Sequence, residues 1–190
     1  MRAVLLEVPE ELLEERRRTG LDGHDEMWDG VLHMVPAASS PHQILAGELM
    51  AALLPLAKLR GLLGMPEAGL YRPGPSGEHD FRVPDLVFAR PDDIVERGVE
   101  GRAELVIEIL SPGDESHAKL GFYEEMAVRE FLIVDPRTKQ FELFRLSDRG
   151  LVPVPPDGAG TVGLSSLGLT LSNVDEPKLR LAWDGGTTDL

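Results

Sequence analysis

"ELVIEILSPGDESHAKLGFYEEM", residues 104–126, holds one carboxylate, Glu108, inside an otherwise apolar run, and the fold turns on how that run is read. Residues 105–110 are Val, Ile or Leu apart from Glu108, and Ser-Pro-Gly closes them, so the stretch reads as a buried strand ending in a loop. In extended backbone alternate side chains share a face. That sets Val106, Glu108 and Leu110 on one side and Leu105, Ile107 and Ile109 on the other. Both sides are apolar. An ionised carboxylate without a partner there costs several kcal/mol, so Glu108 calls for a cation, an Arg or Lys partner, or a proton.

A second apolar run, "VPDLVFA" at 83–89, poses the same problem with Asp85 near its beginning. Two carboxylates from neighbouring buried strands can converge on one divalent cation. Hard oxygen ligands with waters left over suit Mg²⁺ or Mn²⁺, ions that activate water and neutralise charge on a phosphoryl group. Such a site needs a further group near the water. Lys119 is a candidate, because Lys119, Phe122, Tyr123 and Met126 fall at i, i+3, i+4 and i+7 of a helix expected over 117–127, which places the lysine on the apolar stripe. The competing reading is a stem that packs and an ammonium that snorkels to solvent.

Outward from this block the pattern alternates strands with helices. "PEELLEERRR", 9–18, has Pro first, acids early and bases late, as a short surface helix requires. Residues 26–35 alternate around Asp29-Gly30, a two-residue hairpin signal. A long helix is expected over 40–60, with Ser40 as N-cap, Pro41 at N1 and Gln43 completing a capping box, and with Pro55 kinking or ending it. Strands joined by a Gly/Pro-rich loop at 72–77 follow, the last starting near Val83, and residues 91–102 read as a polar connector. "EFLIVD" and "FELFRL" give two more strands, and the Gly/Pro/Ser-rich stretch after Gly150 reads as peripheral strands and loops. The fold class is α/β: a mixed central sheet flanked by helices, with an N-terminal β-hairpin, in a single domain spanning 1–190 whose core lies at about 20–150.

Composition sets the limits. Hydrophobic residues make up 42% of the 190 and aromatics only 5%, so the core is aliphatic. No apolar run approaches the roughly 18 residues that cross a bilayer, and the acidic start does not resemble a signal-peptide core, so a cytoplasmic protein with no membrane partner is expected. The absence of cysteine leaves oxygen and nitrogen groups to do any chemistry. The five histidines form no HxH or i, i+4 pair, and no phosphate-binding glycine loop or G-x-S-x-G elbow appears. A net charge of −14 repels polyanions at long range and argues against nucleic acid as partner.

"VPDLVFA", the block "ELVIEILSPGDESHAKLGFYEEMAVREFLIVDP" and the upstream "DEMWDGVLHMVPAASSPHQ" together resemble a large bacterial family of restriction-endonuclease-like proteins within the PD-(D/E)XK nuclease superfamily, over roughly residues 20–175. The resemblance implies a restriction-endonuclease-like fold and Mg²⁺- or Mn²⁺-dependent hydrolysis of phosphodiesters, with DNA as the substrate. It implies Asp85 and Glu108 as metal ligands, the main-chain carbonyl of Ile109 as a third, and Lys119 as the catalytic lysine. Here the sequence departs from the superfamily pattern, which puts lysine two positions after the glutamate, where this chain has Leu110. The family's remedy is a lysine from the helix after the Ser-Pro-Gly loop, the place of Lys119. Glu26 is either an accessory acid near the metal or a surface strand charge. His42 and Gln43, at the start of the long helix, face the choice between a phosphate contact and, for Gln43, a cap. The negative charge keeps a second reading open, a nuclease-fold binding or assembly module without catalysis; a homodimer could still assemble a local positive cleft.

Overall fold

The computed structural model of the chain describes residues 4–5, 9–20, 22–111, 113, 115–174 and 177–190; Pro112 and Asp114, in the loop expected after Leu110, lie outside them. In chain order the elements are β1 (Val4–Leu5), α1 (Glu10–Thr19), the hairpin β2 (Glu26–Trp28) and β3 (Val31–His33), and the long helix α2 (Ser40–Leu59). Strands β4 (Leu63–Pro66), β5 (Leu70–Tyr71), β6 (Phe81–Arg82), β7 (Leu86–Ala89), β8 (Ile94–Val95), β9 (Gly98–Glu100) and β10 (Leu105–Ile109) follow. A 3₁₀ turn at Ser116–Lys119 then leads into α3 (Leu120–Glu125). The chain closes with β11 (Glu130–Val134), β12 (Phe141–Ser147), β13 (Gly150–Pro153), β14 (Thr161–Leu164), β15 (Leu169–Val174), β16 (Lys178–Trp183) and β17 (Gly186–Asp189).

The local signals act as their chemistry requires. Asp29 and Gly30 both take positive φ, 48° and 83°, the backbone of a type I′ hairpin turn. Helix α1 buries no side chain and ends on Gly20 in the left-handed conformation. Helix α2 begins one residue earlier than Ser40 as N-cap would allow: Ser39 is the cap, its side chain makes no capping bond, and Gln43 gives its main-chain N–H to the Ser39 carbonyl at 3.0 Å. Pro55 does not end the helix. Leu49, Leu53 and Leu56 bury one continuous stripe on the sheet, and that burial outweighs the roughly 3 kcal/mol an interior proline costs. The helix expected over 117–127 is shorter, because Ser116–Lys119 winds as 3₁₀ before α3.

The central sheet has six strands in the order β13-β12-β11-β10-β7-β4, with β10 parallel to β11 and antiparallel to β7. Every residue of β7, β10 and β11 is buried, as strands covered on both faces should be. The alternation read from sequence holds: Leu105, Ile107 and Ile109 pack with α2, whereas Val106 and Leu110 pack with Phe122, Tyr123 and Met126 of the α3 region. Residues 91–102, expected as a connector, form a 3₁₀ turn and the short strands β8 and β9, the latter parallel to β5 in a second sheet. Strands β14, β15, β16 and β17 form an antiparallel sheet in that order, whose Val162, Leu164, Leu169, Leu171, Leu179 and Leu181 belong to the same core cluster as Leu49 of α2.

Candidate active site

Strand register brings the two carboxylates together. Leu86 lies opposite Ile107 in the β7–β10 ladder, and one further step sets Asp85 opposite Glu108, a relation in which Cβ atoms stand about 5 Å apart. Beyond Leu86 the ladder stops, because Pro84 has no N–H to give. The open N–H of Ile109 is taken instead by Asp85 Oδ2 at 2.6 Å. Asp85 Oδ1 faces His42 Nε2 at 3.2 Å. His42 is therefore buried against the carboxylate, with Nδ1 left without a hydrogen bond, and it does not stand free at the helix N-terminus.

Glu108 is held by two donors on one oxygen. Lys119 Nζ donates to Oε1 at 2.8 Å and the hydroxyl of the fully buried Tyr123 donates to the same atom at 2.5 Å. Lys119 Nζ also donates to Glu26 Oε1 at 2.7 Å. Glu26 in turn accepts Val83 N–H on Oε1 at 3.0 Å and the Trp28 indole N–H on Oε2 at 2.8 Å. Glu26 is thus not a surface strand charge: it is 1% exposed and both its oxygens are occupied. Behind it, the Arg82 guanidinium lies between the Trp28 and Phe122 rings, 4.3 and 4.2 Å from their centroids. Gln43 sits apart from this group and reaches Glu67 at 3.4 Å.

Three carboxylates here, Glu26, Asp85 and Glu108, share too little positive charge. Burial pushes the Glu108 carboxyl up to about 8, with the Asp85 and Glu26 charges adding to the rise and Lys119 opposing it. Lys119 is raised against its own burial by the two carboxylates it touches. Glu26 is lowered, since Lys119, Trp28 and Val83 outweigh its burial. The two partners of the lysine therefore differ: Glu26 is its charged counterion, and Glu108 is the carboxyl that takes a proton at neutral pH. Both donors to Glu108 sit on Oε1, which leaves Oε2 turned to the cleft without a side-chain donor. His42 is raised as well, burial being outweighed by Asp85, Glu108 and the Ile109 main chain.

A cleft of about 250 Å³ opens onto Glu26, His42, Asp85, Glu108, Ile109 and Lys119. Among the described residues no three His, Asp or Glu side chains form a metal-holding cluster. What the cleft offers is Asp85, Glu108 Oε2 and the Ile109 carbonyl, hard oxygen donors in the number that suits Mg²⁺, which is commonly held by one or two carboxylates and keeps several waters. No arginine neutralises Asp85 or Glu108 among the described residues. The donor chemistry fits the ion.

The family model Uma2, described as "Putative restriction endonuclease", matches residues 10–174. The chain belongs to the Uma2 family. A solved structure with the same fold is the protein from Anabaena variabilis ATCC 29413 described as "a putative nuclease belonging to DUF820"; it superposes with a TM-score of 0.59 at 17% identity, covering 75% of this chain and 82% of that one. No curated protein matches the sequence. This Uma2 chain thus has a nuclease-like mixed α/β fold, as its sequence led one to expect. Tyr123 is the site residue that sequence reading passed over. A hydroxyl on an otherwise apolar helix stripe needs a buried partner, and that was the available signal.

Proposed function

We propose that this Uma2 protein hydrolyses phosphodiester bonds of DNA with a divalent cation, Mg²⁺ or Mn²⁺, held by Asp85, Glu108 and the Ile109 carbonyl. The observation that carries the reading is the register of β7 and β10, which sets two carboxylates side by side at a cleft with a buried lysine between them and Glu26. When bound, the cation supplies charge neutralisation on the phosphoryl oxygens and lowers the pKa of a bound water. Lys119, fixed by two carboxylates, presents an ammonium that orients the attacking water and offsets negative charge as it forms on the phosphate. Glu26 and Tyr123 hold that lysine and Glu108 in place. Asp85 keeps the Ile109 main chain turned toward the cleft.

Cleavage of DNA in Mg²⁺ is expected to vanish in Asp85→Ala and in Glu108→Ala, and unchanged cleavage in either retires the assignment. The net charge of −14 favours a second reading, a binding or assembly module on the same fold. Titration calorimetry with Mn²⁺ separates the two. Binding that is lost in Asp85→Asn supports the enzyme, and no binding at millimolar metal supports the module.

A further inference from the structure

A hollow of about 670 Å³ continues from the cleft as a groove along α2. The two share His42, Gln43, Glu67 and Asp85. Away from this shared end the walls are apolar: Gly47, Met50, Ala51 and Leu54 of α2 on one side and Leu86 of β7 on the other. Small residues at 47 and 51 make the hollow, and a Cβ built on Gly47 meets nothing within 4 Å. Lys58 closes the far end, exposed and with no ion-pair partner among the described residues. Sixteen helical steps lead to it from His42, a run of about 24 Å.

This groove suits one part of a nucleic acid and not another. Its lining offers a single exposed cation, Lys58, with Glu67 and Asp85 at the shared end, whereas a duplex-gripping surface contacts many phosphates with Lys and Arg. Apolar walls receive flat apolar faces, and the bases of a duplex keep those faces stacked on one another. Only a strand whose bases are unstacked can use the groove, its bases against aliphatic side chains, its backbone along the open side and one phosphate within reach of Lys58. Flexible Met50 adapts such a wall to different bases.

We infer that the α2 groove is a base-binding subsite, so that the substrate is a single-stranded or locally opened stretch of nucleic acid lying along α2 with its scissile phosphate at Asp85 and Glu108. The inference rests on the hydrolytic reading of the cleft for the position of that phosphate. The test reads binding without metal, so no cleavage is needed. Fluorescence anisotropy compares the full chain with a labelled single-stranded oligonucleotide, its duplex and an abasic strand of equal length. The single strand is expected to bind at least tenfold more tightly than either of the others, with a shallow salt dependence reflecting one or two phosphate contacts. Gly47→Leu fills the groove where space is open, and it should remove the advantage of the single strand over the abasic one while leaving Mn²⁺ binding unchanged. Ala51→Leu provides a second plug.

Equal binding of the abasic and normal strands overturns the inference, and so does a Gly47→Leu protein that still prefers bases. A wild-type dimer in sedimentation that Gly47→Leu converts to monomer also overturns it, since a second copy then covers the groove. Failure of the hydrolytic reading looks different: base-dependent binding persists while the Asp85 and Glu108 variants leave cleavage or metal binding unaltered.

Discussion

Glu108 receives both of its donors on a single oxygen, and this has a consequence for pH. Its carboxyl, pushed by burial to about 8, must lose a proton before Oε2 can take a cation. Mn²⁺ affinity is therefore expected to rise by about tenfold per pH unit below about pH 8 and to level off above it, with a proton released on binding. Calorimetry in buffers of different ionisation heat measures both, and an affinity flat from pH 6.5 to 9 refutes the assignment. Without metal the sign for stability is opposite. A folded pKa above the unfolded value gives a contribution present in full below about 4.5 that is lost as pH rises through about 8, so cation binding should restore most stability on the alkaline side. Under the proposed function Tyr123 acts through Glu108 as a positioning residue. Tyr123→Phe keeps the ring's packing against Phe131 and removes one donor, so Mn²⁺ affinity should drop 10–100-fold while thermal stability changes by only about 1 kcal/mol. Unchanged affinity would leave the hydroxyl a purely structural role.

At the scale of elements, strands were legible where both faces were apolar and helices where leucines recurred every four residues. The parity of β10 and the Asp29-Gly30 turn followed from residue type alone. The proline in α2 did not. Its effect depends on how strongly the flanking leucines are buried, and that is set by the sheet beneath them. Pro55 is exposed, so Pro55→Ala should restore a helical hydrogen bond and raise stability by about 1–3 kcal/mol, seen as a higher melting temperature. No gain would mean that the helix bends there to fit the sheet. That Asp85, Glu108 and Lys119 would meet at one cleft was legible because charges in apolar patterns stand out. The place of His42 was not, since a residue at a helix start gives no sign of whether it faces a ligand or the carboxylate of a distant strand.

For the whole molecule, the C-terminal sheet is the part that composition disguised. Gly, Pro and Ser dominate residues 151–176, yet Leu169, Leu171, Leu179 and Leu181 alternate with exposed positions, the period of strands with one covered face. What they cover could not be read until α2 was seen against them. Buried Glu130 ties the two parts further, accepting the main-chain N–H groups of Ser165 and Ser166 at 3.0 and 2.7 Å. Leu171→Ala is expected to cost 2–5 kcal/mol and to shift one common unfolding transition, followed by far-ultraviolet circular dichroism and by tryptophan emission together. Two separated transitions would show that the sheet folds on its own. No described helix is long and apolar enough to cross a membrane. The chain's two tryptophans stand in very different places: Trp183 in the C-terminal sheet, and Trp28 with its indole bonded to Glu26 and a guanidinium over its ring. The molecule thus carries its own optical gauge, one chromophore wired to the lysine of the cleft and the other a built-in reference, so that filling the centre can be followed by light without attaching any label.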